Sequence, residues 1–469
     1  MTNKKVFYSV LSILIWAIII RTISFLQGID FILDEANLAR NIYDLSWSNL
    51  LGPLDHEQHA PILFLFLLKA TASLLGYSEE ALKLWPFLAG CFALILWFKV
   101  LVLKKYHAFG FIAGFTILAF NLVSIRYGLI LKQYSTDLML TLFFLWLYHY
   151  KEEKPRFLVV FIAGSISMFL SMPIIFVLLW YSVAKGLKSL HRNYLWMGTA
   201  WALIFTANYF LFLRPSISSA PLQSFHEGFF MPFPTSIENL REIGDRWIML
   251  FTGIFGKTTL ALLVGISLVL IGVFQKKRNW ILALPIVFSI GAAMFQKYSL
   301  IERLMLFSYP FFILLFLEGL QYITQKLNRK KTILTYSGRV LLFICLIIIL
   351  SSSSRFVYWP HKMFFGHQGI EQGMKMVGQL STDSCTILTH NAAPFYDYYQ
   401  RIKEGNNRKF PVLAWDHREL KERKNSCDTL ILIDAHTFGS DKEKLNRQLT
   451  SYQKSLLYLS PGLEIISIQ

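Results

Sequence analysis

About eleven apolar runs, most of them near the length that crosses a lipid bilayer, recur along this chain of 469 residues. Hydrophobic residues make up 54% of the sequence, including 41 Phe, and the mean hydropathy is +0.46. This composition excludes an ordinary water-soluble domain and predicts a polytopic α-helical membrane protein. The runs lie at about 7–26, 81–103, 108–125, 134–150, 157–171, 172–184, 194–213, 247–274, 279–295, 304–322 and 338–353.

The basic residues mark every second break between these runs. The net charge of +17 could suggest nucleic acid in a soluble protein, but here the excess lies in short loops, where it indicates topology, and no nucleic-acid partner is expected. The positive-inside rule places the N-terminus in the cytoplasm and the C-terminal residues outside. The first run follows Lys4 and Lys5 as a signal peptide would, but it is long and lacks a small-x-small cleavage site, which favours an uncleaved first span.

The first outer segment, about 27–80, is unusually long and polar. Leu38, Ile42 and Leu45 recur at helical spacing, which predicts a surface helix over 35–51 with Asp34 as its N-cap and Glu35 in its first turn. The apolar stretch 61–75 is short for a span, and counting it as one would invert every later basic loop. We therefore expect a second helix there, lying at the outer interface.

The composition changes at about 354, which divides the chain into a membrane domain (1–353) and an extracytoplasmic α/β domain (354–469). Short β-rich runs at 386–389, 411–414, 429–433 and 464–468 alternate with helical stretches at 370–380, 394–403, 417–424 and 441–457, which favours a mostly parallel sheet. No glycine fingerprint follows the first strand, so no nucleotide is expected. Cys385 and Cys427 each precede a predicted strand; they can form a disulfide if those strands are neighbours, or remain two buried thiols.

Charged and polar residues collect at the predicted outer ends of the spans. They form four groups: 34–35, 55–61, 126–137 and 297–303. Carboxylates and cations on one face of an apolar bundle suit a lipid-linked sugar phosphate, because the cations can stabilise the departing phosphate and a carboxylate can take the proton of an acceptor hydroxyl. The sequence contains no Asp-x-Asp, the pattern that commonly holds a metal–diphosphate, and this disfavours a nucleotide-sugar enzyme.

Several motifs, in order, resemble the GT-C membrane glycosyltransferases, specifically the group of protein O-mannosyltransferases and lipid A aminoarabinose transferases. Leu33-Asp34-Glu35-Ala36 with Ala39-Arg40 resembles the acidic motif of their first loop, and the stretch 59–64 resembles the helix that follows, with His59-Ala60-Pro61 in place of a doubled proline. The stretch 76–84 is similar to the entry to their second span. Asp137 matches an aspartate that enters the fourth span, and 302–305 resembles the entry to a late span. The resemblance covers about 1–325 and extends only loosely to the remaining residues.

The resemblance implies an inverting transfer from a polyprenyl-phosphate sugar on the outer side of the membrane. It makes Asp34, with its neighbour Glu35, the acceptor-facing base or positioning carboxylate, although both also suit helix capping. Asp137 is assigned to positioning substrate or a cation; its alternative is a buried ion pair with Lys132 or Arg126. The substrate-binding candidates share positions at outer span ends: Arg126, Lys132 and Arg303 for the donor phosphate, and Arg40, His59, Tyr134 and Glu302 beside them.

The resemblance leaves the cofactor and the substrates open. Some relatives use a divalent metal near the acidic loop and others do not, so no cofactor is assigned. The expected partners are membrane lipid, a polyprenyl-phosphate sugar and a lipid, glycan or protein acceptor, and the expected location is the bacterial cytoplasmic membrane. A transporter or flippase of a lipid-linked saccharide would explain the same bundle and charges, but no internal repeat supports it. A scaffold with a binding domain outside is the third alternative.

Overall fold

The computed structural model describes residues 4–150, 157–189, 191–217, 219–328, 333–353, 369–380, 385–413, 419–437 and 439–469. The chain forms two compact units. Unit 1 comprises Met1–Ile23, His59–Phe64 and Trp85–Tyr358, and unit 2 comprises Ser24–Gln58, Leu65–Leu84 and Trp359–Gln469. The division of the chain at 353/354 remains a prediction from composition.

The structure is mostly helical. Its first seventeen helices are α1 (Lys4–Leu26), α2 (Leu33–Asp44), α3 (Ile62–Leu75), α4 (Glu79–Lys104), α5 (Ala108–Ala119), α6 (Leu122–Tyr127), α7 (Tyr134–His149), α8 (Phe157–Ser167), α9 (Ile174–Ser189), α10 (Arg192–Asn208), α11 (Arg214–Ile217), α12 (Ala220–Glu227), α13 (Ile237–Phe255), α14 (Thr259–Phe274), α15 (Leu284–Met294), α16 (Tyr309–Asn328) and α17 (Ile333–Ser353). Short 3-10 helices lie at Asn49–Leu51, Asn279–Ala283 and Leu306–Ser308, and a π-helix at Tyr209–Leu213.

Four described helices are long and apolar enough to cross a membrane: Lys4–Leu26, Glu79–Lys104, Arg192–Ile217 and Leu306–Leu327. The pair α13 and α14 passes the same test when counted as one broken span. These apolar helices are those of an integral membrane protein. The count of about eleven spans stays a prediction, since other described helices are shorter.

Two predicted runs are interrupted in the structure. The run 247–274 was predicted as one span, and it is not one straight helix: α13 and α14 meet at a bend of 97°, as in a broken span or a re-entrant loop. Gly256 ends α13 with a φ of +91°, a conformation that glycine tolerates and other residues rarely adopt. Hydropathy records the apolar side chains on both sides of this residue but not the turn. By contrast, the predicted break near Pro173 is confirmed, because α8 ends at Ser167 and α9 begins at Ile174.

The run 108–125 also divides, into α5 and α6, and side chains hold this break. Arg21, buried in α1, donates from Nη1 to the Ala119 carbonyl at 2.7 Å and from Nη2 to the Ser124 hydroxyl at 3.3 Å. Asn121 accepts a hydrogen bond from the Ser124 N–H and donates to the Gly253 carbonyl at 2.8 Å. An arginine at this depth is costly unless its donors are satisfied, so its contacts fix the short helix α6.

Unit 2 contains helix α2, which is shorter than predicted and ends at Asp44. The predicted N-cap was wrong: Ile32 takes that position with an extended backbone, and Asp34 is the second residue of the helix. Glu35 is the third residue of the helix, and its carboxylate reaches back to accept the N–H of the N-cap residue Ile32 at 2.9 Å, which stabilises a helix start at this position.

The C-terminal residues of unit 2 form a four-stranded sheet in the order β1-β2-β4-β3. Its helices are α18 (Ile370–Leu380), α19 (Ala393–Tyr396), α20 (Glu419–Asn425) and α21 (Gly439–Leu449), with a π-helix at Asp397–Lys403. Its strands are β1 (Thr386–Leu388), β2 (Leu430–Ala435), β3 (Lys454–Leu459) and β4 (Leu463–Ile468).

The predicted mostly parallel sheet was wrong, since only β1 and β2 pair in parallel and β4 is antiparallel to both of its neighbours. The error lies in 441–457, where α21 stops at Leu449 and β3 begins a hairpin with β4. The predicted strand at 411–414 is reduced to one bridge from Val412 to Leu388, and residue 414 lies outside the described residues. Cys385 and Cys427 form a disulfide at the entries of the neighbouring strands β1 and β2.

Candidate active site

Unit 1 contains a cavity of about 430 Å³ that is lined by several of its loops and helix ends. The start of α7 contributes Gln133 and Asp137, and the break between α8 and α9 contributes Pro173. Segments that follow α10 and α15 complete the wall. Helix breaks and helix ends leave backbone and polar side chains free to face a ligand, which is where membrane proteins place such sites.

Buried polar atoms without partners line the floor of this cavity. Asp137 is 1% exposed, and neither of its carboxylate oxygens accepts a hydrogen bond of normal geometry from a described residue, although the Ser171 hydroxyl lies close enough to interact with it. The side-chain oxygen of Gln133 and the hydroxyl of Ser299, which are 3% and 5% exposed, likewise have no hydrogen-bond partner among the described residues. Native proteins satisfy nearly all buried polar groups, so these atoms are suited to a ligand that donates hydrogen bonds.

The rim of the cavity is exposed and cationic. Lys297, from the loop after α15, and Arg214, at the start of α11, both line it. Within the described ranges neither cation pairs with a carboxylate, although the Arg214 guanidinium lies 5.7 Å from the centre of the Phe210 ring. The residue before Lys297, Gln296, has a φ of +57°, a strained conformation for a residue with a side chain and one that often marks functional loops.

Two histidines also line the cavity. His59 was predicted from the sequence, whereas His226, at the end of α12, was not. The Nδ1 atom of His226 is buried and has no hydrogen-bond partner in the described part of the chain. Burial, and then the neighbouring charge of Arg303, lower the pKa of His226, so that its imidazole is neutral at pH 7. A neutral imidazole can accept a hydrogen bond at one nitrogen and donate at the other.

The remaining predicted residues of unit 1 lie outside the cavity lining: Arg126, Lys132, Tyr134, Glu302 and Arg303. Tyr134 packs edge-on against Tyr127, with ring centres 5.1 Å apart, and the Arg303 guanidinium lies over the Phe225 ring.

Glu302 is half-buried near the charge of Arg126. Burial raises the pKa of Glu302, and the charges of Arg126 and Lys257 oppose that rise. The alternative for Asp137, a buried ion pair with Lys132 or Arg126, is not formed among the described residues.

In unit 2, the two adjacent carboxylates of α2 have different surroundings. Glu35 is 1% exposed and engaged twice, by the Ile32 N–H and by Lys83, whose Nζ lies 3.5 Å from its Oε1. Asp34 is partly exposed, and its carboxylate makes no hydrogen bond or ion pair within the described residues. Arg40, predicted to bind substrate, pairs with Asp397 at 2.6 Å. Asp34 is therefore the carboxylate of this motif that is available for a ligand.

The residues for a divalent metal do not come together in the described part of the chain. No group of three or more His, Cys, Asp or Glu side chains is placed there as a metal site.

Comparison with known proteins gives the fold. No family model and no curated protein matches the sequence. Among solved structures, the chain is similar to ArnT from Cupriavidus metallidurans bound to undecaprenyl phosphate (TM-score 0.51, 9% identity) and to the same protein in the apo state (TM-score 0.50, 10% identity). Each match covers 98% of this chain and 97% of that chain. The fold that this chain shares with ArnT is the GT-C fold.

Proposed function

We propose that this protein transfers a sugar from a polyprenyl-phosphate donor to an acceptor on the extracytoplasmic face of the membrane, with inversion at the anomeric carbon. The GT-C fold supports the reaction class, and one of the similar structures holds undecaprenyl phosphate. On this proposal the protein resides in the bacterial cytoplasmic membrane with its N-terminus inside and its C-terminal residues outside. The acceptor is a lipid, a glycan or a protein.

The observation that carries the proposal is the division of the cavity into a buried floor of unpaired acceptors and an exposed rim of unpaired cations. Three side-chain oxygens, two of Asp137 and one of Gln133, have no hydrogen-bond donor among the described residues. A sugar ring carries several hydroxyl groups that can donate to them. Lys297 and Arg214 offer positive charge to an anion at the opening. A sugar phosphate combines these two properties in one molecule, with its hydroxyls on the floor and its phosphate at the rim.

The chemistry then follows from a single displacement. The acceptor oxygen attacks the anomeric carbon from the side opposite the phosphate, the bond between that carbon and the phosphate oxygen breaks, and its electrons leave with the phosphate. Fixed cations stabilise the negative charge that develops on the leaving phosphate, and this stabilisation is largest where water is excluded. The acceptor proton goes to a carboxylate acting as general base.

Each residue has a part in this proposal. Asp34 takes the acceptor proton or positions the acceptor, as the resemblance implies, while Asp137 orients the donor sugar through its hydroxyls. Lys297 and Arg214 contact the phosphate because they line the cavity, and Arg126, Lys132 and Arg303 stay further donor-phosphate candidates on the strength of the resemblance. Glu35 supports the acidic motif through its contacts with Ile32 and Lys83.

The test is donor turnover by the purified full-length protein in detergent. The donor is polyprenyl-phosphate sugar taken from the producing cells, and the acceptor is an extract of their envelope. We expect free polyprenyl phosphate and a glycosylated acceptor to appear together, as seen by mass spectrometry. A flippase cannot work in detergent, because detergent removes the two compartments between which it moves its substrate. If the donor stays intact in detergent and the protein moves it across the membrane of vesicles, the protein is a transporter and the transferase proposal is wrong.

A further inference from the structure

The helix that carries Asp34 is fixed in unit 2 by a network of ion pairs near its C-terminal end. Arg40 Nε lies 2.6 Å from Asp397 Oδ2, and Arg401 contacts the same Asp397 at 2.5 and 2.8 Å. Arg401 also donates two parallel hydrogen bonds of 2.8 Å to the carboxylate of Asp44, the last residue of α2. Asp397 and Arg401 therefore both hold α2, and both belong to the π-helix Asp397–Lys403.

This network is built to be stiffer than ordinary surface ion pairs. Exposed single pairs contribute little, but a guanidinium fork that binds two carboxylates loses less side-chain freedom for each bond. The Arg401 guanidinium also lies 5.3 Å from the centre of the Tyr43 ring, another residue of α2. Burial alone would raise the pKa of Asp397, but hydrogen bonds and charge from Arg401 and Arg40 hold it below its usual value.

The same π-helix also reaches the residues before α2. The Tyr399 hydroxyl lies 2.5 Å from Glu79 Oε1, and both of these oxygens accept the Phe31 N–H at 3.1 Å. The Phe31 ring packs on Tyr398, with ring centres 4.6 Å apart. The segment from Phe31 to Asp44 is thus attached at both of its ends to the π-helix Asp397–Lys403. π-helices are rare and often occur at functional positions.

We propose that the π-helix Asp397–Lys403 is the positioning element of α2, with Asp397 and Arg401 as the positioning residues that orient Asp34. This inference rests on the proposed function, since it takes Asp34 as part of the transfer site. Asp34 has no side-chain partner in the described residues, so its direction depends on the helix that carries it. The extracytoplasmic domain then acts as part of the transferase by setting the acidic motif.

The experiment measures hydrogen exchange over residues 33–44 and sugar transfer in parallel, on the full-length protein in detergent. Asp397→Asn removes the shared carboxylate and leaves Arg40 and Arg401 without it. We expect the amides of α2 to exchange about tenfold faster and the turnover number to fall about tenfold, with the KM for donor unchanged. Asp397→Glu should restore both readings, which a loss of folding would not allow.

The matched control is Glu443→Gln, which removes a carboxylate of the same unit from an exposed pair with Arg447 and should change neither reading. Unchanged exchange in Asp397→Asn would overturn the positioning role, and so would fast exchange combined with full transfer. If the wild-type protein transferred no sugar, the proposed function would fall, while the exchange result would still decide whether the π-helix holds α2.

Discussion

Replacing Asp137 with asparagine should make the protein more stable and less active at the same time. In the absence of a ligand, Asp137 is a buried carboxylate whose two oxygens accept no hydrogen bond from the described residues. A buried unsatisfied polar group costs about 1–3 kcal/mol, and more when it is charged. Asparagine has nearly the same shape without the charge, but its amide stays buried without partners, so the variant should gain only the part of the penalty that belongs to the charge, about 1 kcal/mol in the free energy of unfolding.

The loss of activity follows from the same atoms. A hydrogen bond to a charged group contributes about 1.5–3 kcal/mol, and asparagine keeps one neutral acceptor of the two charged ones. If donor hydroxyls fill both oxygens of Asp137 in the reacting complex, the substitution should cost about 2–4 kcal/mol of transition-state stabilisation. This corresponds to a fall of roughly 30- to 1,000-fold in kcat/KM.

The assay compares thermal unfolding in detergent with donor turnover for Asp137→Asn and for Asp245→Asn. Asp245 is exposed on α13, so the same chemical change there should alter neither quantity. A substitution that raises stability and lowers activity is typical of a residue that serves function and destabilises the folded protein. An Asp137→Asn protein that is destabilised, or that retains full turnover, would refute the assignment of these oxygens to a ligand.

The other predictions concern both units. Asp34→Asn should abolish transfer at unchanged stability. Glu35→Gln should lower the free energy of unfolding by about 3 kcal/mol, because it removes the carboxylate that pairs with buried Lys83. Unfolding curves and turnover of the two variants separate these roles. Lys297→Gln should weaken binding of polyprenyl phosphate about tenfold, as measured by ligand-dependent thermal shift, and an unchanged shift would remove the rim from donor binding. Reduction of the disulfide between Cys385 and Cys427, which closes a separation of 42 residues, should cost unit 2 about 4 kcal/mol, and proteolysis with and without reductant would measure it.

The apolar runs predicted a helical membrane protein and the short β-rich runs predicted a small C-terminal sheet, because both leave periodic signals in the sequence. The GT-C fold was expected from the resemblance of several motifs to that family. Sequence reasoning missed features that depend on single turns. Gly256 bends one apolar run into two helices, and no property of the flanking apolar residues records that bend. In the same way, β3 follows α21 after only a few residues, and its polar, exposed face resembles the surface of a helix.

The candidate site was predicted only in part, for a related reason. Asp137 and His59, which line the cavity, were predicted because a charged or polar residue at the end of an apolar run is conspicuous. Arg214 and His226 were missed because they lie in a polar stretch between runs, where such residues are ordinary. Their contribution depends on how α11 and α12 fold back to line a cavity, which is a tertiary property that local sequence does not encode.

The acidic motif shows most clearly where sequence reasoning ends. Consecutive residues of an α-helix point about 100° apart, so two adjacent carboxylates cannot share one environment. A shift of one residue in the start of α2 decides which of them turns inward. Because Ile32 rather than Asp34 is the N-cap of α2, Glu35 contacts Lys83 and the Ile32 N–H, and Asp34 contacts neither. The sequence supplied two adjacent acids, and the backbone register engages Glu35 in contacts within unit 2 and leaves the Asp34 carboxylate without a partner among the described residues.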